Sequence, residues 1–250
     1  MTHPVPSSRF PPASAGRFAT TRWSVIAAAQ DPSSPQAQEA LAILCSTYWY
    51  PLYAFIRSQG YTADQSQDLT QGFFAGLLER HTLEVVDRGR GKFRSFLLTA
   101  CKHYLAHERE RAGAQKRGGG RRLFSLDFAD GEARYLAEPS HARTPEKLFA
   151  RNWALTMLDE VLTRLRGEFT QKGKTQLFDH LRVFLLGEKD ALPYGQVARA
   201  LGMAEGTVKV AAHRLRQRLR VLVCEEIAQT VADAANIEEE IRELFAALAP

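Results

Sequence analysis

Apolar residues recur at intervals of three and four through most of the chain, and no stretch sustains the strict alternation of a half-buried strand. The pattern predicts helices. Residues 21–30 open one, with Thr21 as cap and Trp23, Ile26 and Ala27 on the buried side. Residues 37–58 form the next, carried by Leu41, Leu44, Cys45, Tyr48, Leu52, Phe55 and Ile56; Pro51 inside it predicts a kink or break at Tyr50. Residues 62–80 follow, with Thr62 as cap, Asp64 in the first turn, and Leu69, Phe73, Leu77 and Leu78 inward. A polar loop over 82–93 separates this helix from one over 94–111, where Phe96, Leu97, Ala100, Cys101, Tyr104 and Leu105 are apolar and the far end turns basic.

Three consecutive glycines at 118–120 and the breakers Asp127, Asp130, Gly131, Pro139 and Pro145 interrupt the periodicity. Residues 116–144 therefore read as a flexible, irregular linker. Thr144 then caps a helix that begins at Pro145 and keeps Leu148, Trp153, Leu155, Leu158, Val161, Leu162 and Leu165 at helical spacing. A further helix spans 176–186. The resulting expectation is an all-α protein of two small helical bundles joined by a linker: a tail over 1–20, a first domain over 21–115, a second over 145–226, and a helical extension over 227–250.

The most informative segment is 193–220. Val197, Ala198 and Leu201 make a short apolar face, Gly202 suits a left-handed turn, and Val208, Ala212, Leu215, Leu219 and Leu222 form the stripe of a second helix. Lys209, His213, Arg216 and Arg220 fall on the opposite side, flanked by Arg214 and Arg218. Helix, turn glycine and basic helix together predict a helix-turn-helix whose second helix enters a DNA major groove.

Charge supports that direction because it is clustered. The formal net charge is only +5, yet from Asp87 to Arg122 eleven Lys and Arg stand against three acids, while residues 238–243 are acidic. The three cysteines, Cys45, Cys101 and Cys224, lie far apart, as expected of reduced thiols in a cytoplasmic protein. No apolar run is long enough to span a membrane, and the Pro- and Ser-rich first twenty residues lack the core of a signal peptide.

Two further segments, DQSQDLTQGFFAGLL from Asp64 and GKFRSFLLTACKHYLAHERER from Gly91, are specific enough for a comparison. With the segment 193–220 they resemble a bacterial RNA polymerase sigma factor of the sigma-70 family, in its extracytoplasmic-function branch, over roughly 37–112 and 148–222. The resemblance implies a first domain that binds core RNA polymerase and the promoter minus-ten element, a second that binds the minus-thirty-five element, and a monomer when free. Matched to the family's pattern, Asp64, Asp68, Gln71 and Phe74 would bind the polymerase. Arg90, Lys92, Arg94, Phe96 and His103 would meet minus-ten DNA, and Thr207, Lys209, Val210, His213 and Arg214 minus-thirty-five DNA. Lys116, Arg117, Arg216 and Arg218 would contact phosphates, which positions a protein on DNA without specifying sequence. Promoter DNA and core polymerase are the implied partners, with an anti-sigma protein a further candidate. The chain departs from the family at Gln67, at His103 where Asn is usual, at Ala204 where a Ser cap is usual, and in the polar loop 187–192.

His103 and His107 beside Glu108 sketch a metal site without a third convergent ligand, so no metal or cofactor is expected. No phosphate-binding Gly loop, nucleophile elbow or carboxylate pair stands out, and enzymatic activity is not expected. The rival readings are a dimeric helix-turn-helix regulator and an adaptor that binds polymerase without selecting promoters. A reading in cis also stands for residues 227–248, which would pack acidic residues near a basic DNA-binding face.

Overall fold

Helical periodicity dominates the fold. A computed structural model describes residues 23–30, 35–79, 83, 86–87, 89, 91–114, 126–137, 143–185, 193–231 and 233–249, and among these the chain is all-helical. The tail 1–20, the loop 187–192, and Arg90, Lys116 and Arg117 lie outside the described residues. The helices are α1 (Trp23–Gln30), α2 (Ala37–Arg57), α3 (Ala63–Glu79), α4 (Phe93–Ala114) and α5 (Phe128–Ala137). They continue as α6 (Pro145–Gln171), α7 (Thr175–Leu181), α8 (Tyr194–Leu201), α9 (Glu205–Thr230) and α10 (Ile237–Leu248), with 3-10 turns at Arg182–Phe184 and Ala234–Asn236.

Of the kink or break expected at Tyr50, the break does not occur: α2 runs continuously through Pro51. An internal proline costs about 3 kcal/mol. Residues 50–56 are buried on every side of the helix, and burial of Leu52, Phe55 and Ile56 contributes roughly 1.5–3 kcal/mol each. Packing therefore outweighs the missing backbone bond. α3 begins with a reciprocal cap, in which Thr62 N–H donates to Gln65 Oε1 (3.0 Å) and Gln65 N–H to Thr62 Oγ1 (3.3 Å). The cap at Thr144 forms as expected, its hydroxyl accepting from Lys147 N–H.

The segment expected to be an irregular linker contains α5. Two of its apparent breakers have other roles. Asp127 caps the helix, its Oδ1 accepting from Asp130 N–H at 3.0 Å. Gly131 lets the helix approach α2 so closely that a Cβ there would lie 2.8 Å from the Trp49 ring. Around this approach Phe128 meets Trp49 edge-on at 5.4 Å and Tyr53 at 5.6 Å, and Tyr50, Ala54 and Leu148 complete the cluster. Arg57 closes its rim, donating to both oxygens of Glu132 (3.1 and 2.8 Å).

The two halves of the sequence share a core. The most extensive helix contact is α2 with α6, and one buried cluster runs from Ile26 and Leu52 through Phe93 and Leu97 to Trp153, Met157, Val208 and Leu244. Cys45 and Cys101 are free thiols inside it, pushed up to about 12 by burial.

Replacing Gly131 with Ala would stabilise an unencumbered helix by about 0.5–1 kcal/mol. Here the steric conflict with Trp49 reverses the sign, and Gly131→Ala is expected to destabilise by about 1–3 kcal/mol in denaturant unfolding.

Candidate nucleic-acid interface

The sequence from α8 to α9 turns on Gly202, which has a left-handed backbone (φ 63°). Gly202 N–H donates to Arg199 O (3.3 Å) and Met203 N–H to Ala198 O (2.9 Å), closing the helix in a Schellman pattern. Ala204 supplies no side-chain cap to α9. Val197, Ala198, Val208, Ala212 and Leu215 are buried between the two helices and the rest of the core, so the opposite side of α9 is forced outward.

That outward side carries Thr207, Lys209, Val210, His213 and Arg214, all exposed. Val210 is 50% exposed, an uncovered branched side chain amid polar neighbours. Lys209 pairs with Glu205 one turn earlier at 2.7 Å and lies 5.9 Å from the Tyr194 ring. Both partners of that pair are exposed, so it holds Lys209 weakly.

Two arginines assigned to phosphates are committed elsewhere. Arg216 donates to Phe184 O (3.1 Å) and Tyr194 Oη (3.0 Å). Arg218 grips both oxygens of Glu168 on α6 (2.9 and 2.6 Å), with Glu225 at 3.5 Å. Arg218 ties α9 to α6 and Arg216 ties it to α8 and the turn before it, which together set the direction in which the free face points.

The residues assigned to opened DNA divide. His103 is exposed on α4. Phe96 is half-buried and stacks on Phe93 at 5.9 Å. Lys92 and Arg94 face acids of α10: Lys92 Nζ lies 2.6 Å from Glu240 and 2.5 Å from Glu243. Arg94 pairs with Glu240 and reaches Glu243 at 2.7 Å. The Arg94 guanidinium also lies 4.2 Å from the centre of the Trp153 ring. Burial pulls the Arg94 pKa down, with Tyr48 and Glu243 opposing. At Glu243 burial raises the pKa, but Lys92 and Arg94 overcome it and the net direction is down.

On α3, Asp64 and Asp68 are exposed and Gln71 is half-buried, so the acid and amide row stands at the surface. Phe74 does not belong to it. It is 2% exposed and packs edge-on against Phe73. At 3.6 residues per turn, Phe74 projects about 60° from Gln71 around the helix, which carries it into the core.

Glu168 and Trp153 were not singled out as site residues from sequence, and Glu240 and Glu243 only as part of the acidic stretch 238–243 expected to pack near a basic face. For Glu240 a signal existed: it sits on the apolar stripe Ile237, Ile241, Leu244 and Leu248, where an acid needs a buried cation. Nothing local marked Lys92 and Arg94 as that cation pair.

Among the described residues no group of three or more His, Cys, Asp and Glu could hold a metal ion, and no helix is long and apolar enough to cross a membrane. No family model, curated protein or solved structure matches the chain.

The Arg forks also set an acid limit on stability. Hydrogen bonds from Arg218 hold the Glu168 carboxyl below its ordinary value against burial, and Arg57 does the same for Glu132. A depressed folded pKa contributes stability above the unfolded value near 4.3, lost as pH falls through the folded value. Thermal unfolding followed from pH 7 downward should show Tm falling below about pH 5. Glu168→Gln should lower Tm at neutral pH and make the acid loss shallower.

Proposed function

We propose that the protein is a sigma factor: it binds core RNA polymerase and directs it to a set of promoters. The observation that carries this reading is the free face of α9. Its inner stripe is packed away, its rotation is fixed by Arg216 and Arg218, and Thr207, Lys209, Val210, His213 and Arg214 stand together in solvent. A helix held by one side and presenting cations, a hydroxyl and a methyl-bearing side chain on the other has the groups that read base edges in a major groove. In this reading α8 and α9 are a helix-turn-helix for the minus-thirty-five element.

The exposed Asp64 and Asp68 on α3 supply a second, acidic surface suited to a basic protein partner. In this reading it docks on the polymerase, with Gln71 at its edge. In this reading His103 and Phe96 on α4 are assigned to opened minus-ten DNA, together with Lys92 and Arg94. The protein contributes recognition and positioning, and the polymerase performs the chemistry.

Run-off transcription with core polymerase and genomic fragments tests the reading directly: defined transcripts should appear only when the protein is added. Replacing both Lys209 and Arg214 with Ala should weaken promoter binding at least about tenfold, since each cation-to-guanine contact discriminates by that order, while core binding in a pull-down stays intact. Asp68→Lys should do the opposite. A protein that elutes as a dimer and binds duplex DNA without binding core would overturn the sigma reading in favour of a dimeric regulator.

A further inference from the structure

We propose that α10 is a built-in competitor for nucleic acid: Glu240 and Glu243 occupy Lys92 and Arg94 in place of backbone phosphates. An unpaired strand then binds these two cations only when α10 has moved away. The inference rests on the nucleic-acid reading of the Lys92 to His103 region and adds to it a means of control.

The geometry is that of a substitute ligand. Two carboxylates three residues apart face two cations two residues apart, and each cation is shared by both acids. The Arg94 side chain is left 11% exposed and Lys92 28%. No phosphate can approach Arg94 while Glu240, itself 1% exposed, sits against it and the Trp153 ring lies over the guanidinium. Phosphate oxygens and carboxylate oxygens accept the same charge-assisted bonds from Lys and Arg, so the two anions exclude one another.

The seat is made by packing on α6 and α9, with Ile237, Ile241 and Leu248 of α10 set against the core. Leu244 is buried against the core, Leu248 O at the end of α10 accepts from Arg151 of α6 (2.9 Å), and the capping Ala249 O accepts from Arg143, just ahead of α6 (3.3 Å). These cations also suit the negative end of the helix dipole. Against this, both buried oxygens of Glu240 lack a hydrogen bond of good geometry despite their short distances to Lys92 and Arg94. A buried ion pair so supported contributes little net stability, because desolvation offsets its attraction. The acids thus add little to the packing that seats α10, and their advantage over a free phosphate is that of being tethered, an effective concentration on the order of millimolar. Dilute nucleic acid loses that competition, and a strand delivered at high local concentration wins it.

The test is anisotropy of a labelled single-stranded oligonucleotide, and of a duplex, with the full chain between about 50 and 200 mM salt. Glu243→Gln leaves the buried contacts alone, and Glu240→Gln with Glu243→Gln removes both charges; circular dichroism melts report whether each variant folds. The double variant should bind the single strand roughly tenfold tighter, with a log K against log salt slope steeper by about 1.4, two phosphates at about 0.7 each. Glu243→Gln alone should move both quantities part of the way. Adding Lys92→Gln and Arg94→Gln to the double variant should abolish the gain.

Unchanged affinity and slope in the folded acid variants overturn the proposal. So does a gain that survives loss of Lys92 and Arg94, since it then reflects net charge alone. If duplex binding is present and is lost with Lys209→Ala and Arg214→Ala while the acid variants change nothing, the reading of α9 stands and the competitor fails. If no form of the chain binds either nucleic acid, the reading of function falls first.

Discussion

The contact between α2 and α6 sets where everything else can be. α2 brings Tyr48, Leu52, Phe55 and Ile56 from the first half of the chain, and α6 brings Phe149, Trp153, Met157 and Val161 from the second. A helix as apolar all round as residues 50–56 needs partners on every side, so α1, α3, α5 and α6 all pack on α2. α6 then positions the surface. Its Glu168 and Arg164 take hold of α9 through Arg218, Glu225 and Glu226, and its far side carries α10.

From that arrangement come two basic surfaces in different conditions. The outer face of α9 is exposed, and its ion pair among the described residues, Lys209 with Glu205, lies at the surface and is easily exchanged. The start of α4 has its cations enclosed by acids of α10 and the ring of Trp153. Under the proposed function, the face assigned to duplex DNA is thus free while the region assigned to an opened strand is covered. The order matches the physics of promoter use under the proposed function, in which recognition of paired DNA precedes strand separation.

The secondary structure was legible because the helices are strongly periodic: the stripe of α9 and the Thr144 cap can be read residue by residue. The misreadings share one cause. Pro51 and Gly131 are breakers by local preference, and tertiary packing decided both, through enclosure of residues 50–56 and through close approach to Trp49. Phe74 was placed on the surface by motif and in the core by its angle around α3. Arg216 and Arg218 were recognisable as cations, but their partners Phe184 O, Tyr194 and Glu168 come from other helices, and sequence spacing carries no information about those meetings. The same holds for Lys92 and Arg94, whose partners lie about 150 residues away.

One bond places a condition on biosynthesis. The Trp23 indole N–H donates to Thr230 O at 3.1 Å, across 207 residues, so the first described helix closes against the end of α9. A ribosome adding about 5–20 residues per second needs roughly 10–40 seconds to make that interval. Throughout it the Trp23 indole lacks this partner, and the apolar side of α2 awaits α6 until residues 145–171 have been made. The nascent chain therefore carries an unfinished apolar surface until α6 has been made, and the first helix is closed only near the end of the described chain.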